Sequence, residues 1–77
     1  MMLIWLVKQV NQPSYDEVAG FVIRADTEKR AREIASDNGL CEGRHTWKEP
    51  LLSTCTIIGV ANIYDPEAML LRDFRPG

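Results

Sequence analysis

An apolar run that passes directly into a capped, charged helix constrains this chain more than any other feature. Residues 18–25 read VAGFVIRA, and residues 26–39 read DTEKRAREIASDNG. The first run has the apolar content of a strand, and the second spaces small apolar residues at helical intervals before an Asn-Gly stop. The sequence therefore predicts a strand that feeds a helix within a small α+β domain.

The predicted helix has one apolar and one charged side. Asp26 is the predicted N-cap, and Glu28 adds favourable charge to the first turn and stands four residues before Arg32. A narrow stripe is predicted to pack against a sheet: Thr27, Ala31, Ile34, Ala35 and Asn38. The opposite side is predicted to face solvent: Lys29, Arg32, Glu33, Ser36 and Asp37.

A hairpin is predicted before the helix. The first strand covers Leu3 to Val10, and both of its faces begin apolar, so its first half should be covered on both sides. The linker NQPSYD has turn composition. In the second strand, one predicted face carries Ala19, Phe21, Ile23 and Ala25, and the other carries Val18, Val22 and Arg24. Gly20 on the second face indicates a bulge or a close backbone approach.

The second half of the chain is less regular. A short strand is predicted for Arg44 to Lys48, and a longer one for Thr54 to Ala61. The last segment fits either a short helix that Asp65 caps and that runs from Pro66 through Leu71, or a strand from Met69 to Phe74. The prediction is one α+β domain over residues 1–77, with one helix on an antiparallel sheet of four to five strands. Its exposed sheet edges allow either a monomer or a homodimer.

The composition argues against several classes of protein function. A formal charge of −2 over 77 residues argues against broad, non-specific nucleic-acid binding. The N-terminus lacks the basic region of a signal peptide, and no apolar run approaches the roughly 18 residues of a membrane span. We therefore expect a cytoplasmic protein that makes no membrane contact. The two cysteines are predicted to remain thiols.

Neither a metal site nor a catalytic site is predicted. Cys41, His45 and Cys55 supply only three zinc-ligand types, without the paired spacing of structural zinc sites. A cysteine nucleophile with a histidine base needs an orienting third group, which the sequence does not indicate. We expect no enzyme activity, no cofactor and no metal.

A mixed-charge surface is the remaining candidate site. Six of the nine basic residues lie between positions 24 and 48, where five acids reduce the local charge to +1. This mixture, with Trp47 as an anchoring aromatic, favours a protein partner over a duplex clamp. The candidate contacts are Lys29, Arg32, Glu33, Trp47 and Lys48. Two alternatives stay open: a weak nucleic-acid contact through the basic residues, and a Trp47 that belongs to the core.

The chain resembles small proteins encoded by bacteriophages and prophages. The resemblance lies in VIRADTEKRAREIAS, the following Trp47, the segment Ser53-Thr54-Cys55 leading to Ile58-Gly59-Val60-Ala61, and the closing LLRDFRPG. It covers most of the chain. The closing segment of that family looks like a strand, which favours a strand for Met69 to Phe74.

A narrower similarity is to the small type I anti-CRISPR proteins. It lies in LVKQV, in ADTEKRAREIAS, and in the placement of Cys41 and Gly43, about half of the chain. It implies a phage-encoded inhibitor that binds the RNA-guided surveillance complex in the host cytoplasm and blocks target DNA. The second half of the chain departs from the anti-CRISPR pattern, so the partner-binding surface of those proteins cannot be assigned to residues of this chain. The alternative function is a small nucleic-acid-associated accessory protein of the phage.

Overall fold

The described residues form four strands and two helices. The structure, a computed structural model, describes residues 1–11 and 16–75. The elements are β1 (Leu3–Gln9), β2 (Glu17–Ala25), α1 (Glu28–Asp37), α2 (His45–Lys48), β3 (Ser53–Val60) and β4 (Ala68–Arg75). All strand pairs are antiparallel, in the order β3-β1-β2-β4. The predicted α+β fold with a four-stranded antiparallel sheet and one main helix is confirmed.

The predicted hairpin forms the centre of the sheet. Trp5 pairs with Ile23 and Val7 pairs with Phe21, so four large side chains share one face. The indole Nε1–H of Trp5 also donates a hydrogen bond of 3.0 Å to the Ala25 carbonyl. Of the predicted turn NQPSYD, residues 12–15 lie outside the described residues.

Helix α1 begins one residue later than the sequence predicts. Its N-cap is Thr27, which has an extended backbone and accepts a bond of 3.1 Å from the Arg30 amide through Oγ1. The prediction of Asp26 as the cap is wrong. Thr27 precedes the first helical residue directly, so its hydroxyl reaches the unpaired amides of the first turn. The helix ends at Asp37 with Asn38 at the C-cap, which confirms the predicted Asn-Gly stop.

The core lies between α1, α2 and one face of the sheet. Ala31, Ile34 and Ala35 are buried as the helical stripe predicts. The prediction that Arg32 and Ser36 face solvent is wrong, because both are buried. The rest of the core comes from the strands and α2: Trp5, Val7, Val18, Phe21, Ile23, Ala25 and Trp47.

The segment predicted as a strand over Arg44 to Lys48 contains a helical turn instead. Thr46 and Trp47 are adjacent and both buried. A strand would direct neighbouring side chains to opposite faces, whereas one turn of helix lets both point inward. Trp47 then meets Phe21 edge-on, with ring centroids 4.9 Å apart and planes at 80°.

The ambiguous last segment is a strand. β4 pairs with β2 along its length, which confirms the strand over Met69 to Phe74 and excludes the helix. The pairing shifts register between Val18 and Gly20, and an added Cβ at Gly20 would lie 2.9 Å from the Val7 carbonyl oxygen. Gly20 therefore marks both a register shift and a close backbone approach. The predicted face of Val18 is wrong, since Val18 is fully buried.

Among the described residues, the helices cover one face of the sheet. The helices pack on the face that carries Trp5 and Val7, and the opposite face leaves Ile4 and Leu6 half-buried. The prediction that β1 is covered on both sides is therefore not met within a single chain. We call this second side the open face and define it by the strand residues Ile4, Leu6, Lys8, Gly20, Val22, Thr54, Thr56, Leu71 and Asp73.

Candidate functional site

Four of the five candidate contact residues lie around one depression. Lys29, Arg32 and Glu33 of α1 and Lys48 of α2 line a hollow of about 240 Å³ on the helical side of the molecule. Lys48 reaches this hollow because α2 packs against α1. We call this hollow the cationic depression. Its lining holds three cationic side chains and one carboxylate, so an anionic group is the chemistry it fits.

Arg32 forms the buried wall of the cationic depression. Its Nη1 donates to the Trp47 carbonyl at 3.0 Å and to Ser53 Oγ at 2.8 Å, and its Nη2 donates to the Ser53 carbonyl at 3.1 Å. Its Nε–H meets the Glu28 carboxylate at 2.8 Å, which confirms the predicted spacing of that pair. Arg32 therefore ties α1 to α2 and to β3, and its side chain is committed to the fold.

Trp47, the fifth candidate, belongs to the core. It has no exposed surface, and its indole Nε1–H donates to the Glu42 carboxylate at 2.8 Å. An anchoring aromatic must reach its partner, and Trp47 does not reach the surface. The alternative that places Trp47 in the core agrees with the structure.

The two lysines are the accessible cations of the depression. Lys29 and Lys48 are exposed, and neither ammonium group forms an ion pair with another described residue. Glu33 faces Arg30 at 3.4 Å, and that arginine also pairs with Glu67 at 2.7 Å. The Glu67 carboxylate raises the pKa of Arg30 above its usual value mainly through a side-chain hydrogen bond. Within the described part of the chain, the two lysines therefore carry unpaired positive charges, whereas the neighbouring charges of Arg30 and Glu33 are neutralised by ion pairs.

Glu42 is a structural residue that the sequence analysis missed. Its carboxylate accepts hydrogen bonds from the Val18 amide at 2.8 Å and the Leu40 amide at 2.7 Å, besides the Trp47 indole. It joins the loop between the two helices to β2. No sequence signal marks its contact with β2, because the Val18 amide lies 24 positions away in the chain.

The cysteines and the histidine do not form a cluster. Cys41 and His45 are exposed, Cys55 is half-buried in β3, and no metal-holding group of three ligand-type residues occurs among residues 1–11 and 16–75. Burial raises the pKa of the Cys55 thiol to about 11, although the charge of Arg32 opposes that shift. Cys55 is therefore a neutral thiol at pH 7 and a poor nucleophile.

A second, larger concavity lies on the open face. A groove of about 770 Å³ runs over Gly20, with Leu6, Val22 and Leu71 along it and Lys8 and Asp73 at its sides. Leu71 is 62% exposed in the single chain. The chain thus carries a charged depression on one side of the sheet and an apolar groove on the other.

Comparison with known proteins finds no matching family model, no matching curated protein and no matching solved structure. Within the part of the chain that the structure describes, no helix has the length and apolar character to cross a membrane.

The arrangement on the helical side is suited to contact with a charged partner. The frame around the lysines is fixed by the four polar contacts of Arg32 and by the Glu42 carboxylate. A fixed frame lowers the entropy lost when a partner docks, so two charges presented in this way bind better than the same charges on a mobile loop.

Proposed function

We propose that this chain is a phage-encoded inhibitor that acts by stoichiometric contact. Its cationic depression binds an acidic surface of a host defence complex. The observation that carries the docking site is the pair of free ammonium groups, Lys29 and Lys48, beside the buried Arg32 guanidinium. The resemblance to type I anti-CRISPR proteins supplies the identity of the partner. On this proposal the partner is the RNA-guided surveillance complex in the host cytoplasm, and the bound inhibitor keeps target DNA away.

A nucleic-acid partner has less support. A sequence-independent clamp needs many free cations along the phosphate backbone and often aromatic side chains for stacking. Here Arg30 and Arg44 are neutralised by Glu67 and Asp37, and Trp47 is enclosed in the core. Two lysines in one depression suit a few carboxylates of a protein surface better than a run of phosphates.

The decisive experiment is a pull-down of the tagged protein from a host with an active type I CRISPR system, with mass spectrometry of the retained proteins. The test variant is Lys29→Gln/Lys48→Gln, and the matched control is Arg44→Gln, which removes an exposed positive charge that does not line the depression. Arg32 and Trp47 are left intact because their substitution would disturb the fold.

We expect the wild type and the control to retain the surveillance complex, and the double variant to bind it about tenfold more weakly, as loss of two rim charges implies. With purified complex, inhibition of DNA binding should saturate at a fixed molar ratio. Equal binding by all three proteins would remove the cationic depression from the proposal. Absence of the complex, combined with a salt-sensitive shift of DNA or RNA, would favour the accessory-protein function instead.

A further inference from the structure

On the open face, one row of side chains crosses all four strands, and its members on β1, β2 and β4 are apolar. The register places Thr56 beside Leu6, Leu6 beside Val22, and Val22 beside Leu71. An antiparallel sheet normally alternates apolar residues toward the core with polar residues toward water. Here β1 and β2 carry apolar residues toward both sides, which is the pattern of strands that are covered twice.

The adjacent row contains a cation, a glycine and an anion. Lys8 of β1 lies beside Gly20 of β2, and Gly20 lies beside Asp73 of β4. Two strand spacings separate the charges by about 10 Å, too far for an ion pair within one chain. Gly20 lines the groove of about 770 Å³ but is itself buried, and the Lys8 Cγ of the same copy lies 3.4 Å from the place that an added Cβ would take.

We propose that a second copy of this chain covers the open face, in a face-to-face homodimer whose two-fold axis runs parallel to the strands between β1 and β2. This operation places β1 of one copy over β2 of the other. Lys8 of one copy then lies over Gly20 of the other, one strand spacing from its Asp73. Because of the two-fold symmetry, the contact between Lys8 and Asp73 occurs twice in the dimer, as in any isologous interface.

The same operation aligns the apolar rows. Leu6 of each copy lies over Val22 of the other and beside its Leu71, so the side chains left half-covered in one chain fill the space between two aligned sheets. Charge complementarity and apolar contact therefore arise from one arrangement. A partner of different sequence would need its own complementary charges and its own apolar row in the same arrangement.

The area of the open face is sufficient for a modest dimer. Four strands at about 4.8 Å spacing and seven residues at about 3.3 Å rise give roughly 450 Å² in projection. Side-chain relief increases the accessible area, which brings each copy near the roughly 600 Å² per partner at the lower limit of specific interfaces. We therefore expect a dimer that dissociates on dilution.

The test uses charge reversal at the two ends of the groove. Lys8→Glu alone places two carboxylates together at each contact, and Asp73→Lys alone places two ammonium groups together. Each single variant should weaken dimerisation at least about tenfold in multi-angle scattering and sedimentation equilibrium. An equimolar mixture of the two should dimerise again, because the heterodimer contains one native and one reversed pair.

Leu71→Glu probes the apolar row, and Leu51→Glu is its matched control. Leu71 is 62% and Leu51 83% exposed in the single chain, so neither change should unfold the protein, which far-UV circular dichroism checks. We expect a monomer for Leu71→Glu and a dimer for Leu51→Glu.

A wild type that stays monomeric at ~300 µM would overturn the proposal, since even a dimer of micromolar Kd forms at that concentration. A dimer that withstands both Leu71→Glu and the single reversals would overturn it too, because the copies would then meet elsewhere. A monomeric wild type that loses a heterologous partner on Leu71→Glu would assign the open face to that partner. These readouts are independent of the surveillance complex, so failure here leaves the proposed function standing.

Discussion

Replacement of Arg32 by methionine is expected to cost more stability than replacement of any other charged residue on α1. Methionine preserves the length and the apolar stem of the side chain but removes all of its donors. The carbonyl of Trp47 and the carbonyl and hydroxyl of Ser53 would then lose their Arg32 partner within the interior. Glu28 is affected less, because its side chain is 51% exposed and regains water.

The size of the stability loss depends on which hydrogen-bond partners of Arg32 stay buried after the substitution. A buried ion pair that is replaced entirely by apolar residues often costs little, but here two acceptors are backbone carbonyls, which no second substitution removes. Each buried acceptor left without its donor costs about 1–3 kcal/mol, so the loss should reach about 3–5 kcal/mol. A chain of 77 residues has roughly 4–12 kcal/mol in total, so a large part of its stability would be lost.

The assay is urea unfolding followed by tryptophan fluorescence, since Trp5 and Trp47 are both buried. At a slope of ~1 kcal/mol per molar urea, the midpoint should fall by about 3 M or more. Arg44→Met is the matched control: its pair with Asp37 at 2.5 Å is exposed and should contribute no more than about 1 kcal/mol. Arg32→Lys should also be destabilising, because one ammonium group cannot reach three elements at once. A loss below about 1 kcal/mol for Arg32→Met would refute this account of the core.

Three further predictions concern single side chains. Thr27→Ala should lower the free energy of unfolding by about 1 kcal/mol in urea titration, while Asp26→Ala should change it by less than half as much, and the reverse order would restore Asp26 as the cap. Ser36 Oγ is buried with no hydrogen-bond partner among the described residues, so Ser36→Ala should raise the melting temperature and stabilise by about 1 kcal/mol; a lower melting temperature would imply a partner for that hydroxyl. Burial raises the pKa of Cys55 from its usual 9.0 to about 11, so iodoacetamide at pH 8 should alkylate exposed Cys41 first. The folded state holds that proton more tightly, so stability should fall from about pH 9 to pH 11 and fall less in Cys55→Ala; equal alkylation of both thiols would contradict the burial of Cys55.

The sequence predicts the elements that depend on local pattern. The hairpin, the helix and β3 follow from alternation, helical spacing and turn residues, and their observed bounds differ from the predicted ones by a few residues at most. Local pattern leaves the last segment open between a helix and a strand, and its pairing with β2 decides the outcome. The turn at His45 to Lys48 has no such pattern. Its conformation is decided by the insertion of Trp47 against Phe21, a contact between residues 26 positions apart in the chain.

The candidate site was harder to predict because charge alone does not indicate exposure. Arg32 has an acidic residue four positions earlier, which is the usual pattern of a solvated helix face. Its long side chain instead turns inward to the carbonyls at the end of α2 and the start of β3. Only Lys29, Glu33 and Lys48 of the candidate set present charge to solvent, and their grouping depends on how α2 packs on α1.

The two proposed surfaces lie on opposite sides of one sheet, and this separation has a functional consequence. A homodimer joined through the open faces leaves both cationic depressions outward, so each dimer offers two docking sites that face away from each other. Two such sites cannot engage one flat acidic surface together, but they can join two complexes or two separated subunits of one complex. If both proposals hold, Leu71→Glu should leave the affinity of each cationic depression for the partner unchanged. It should remove the increase in apparent affinity that a bivalent dimer gains from binding at both sites. A lower affinity of the monomeric variant for a single isolated subunit would mean instead that the open face itself contacts the partner.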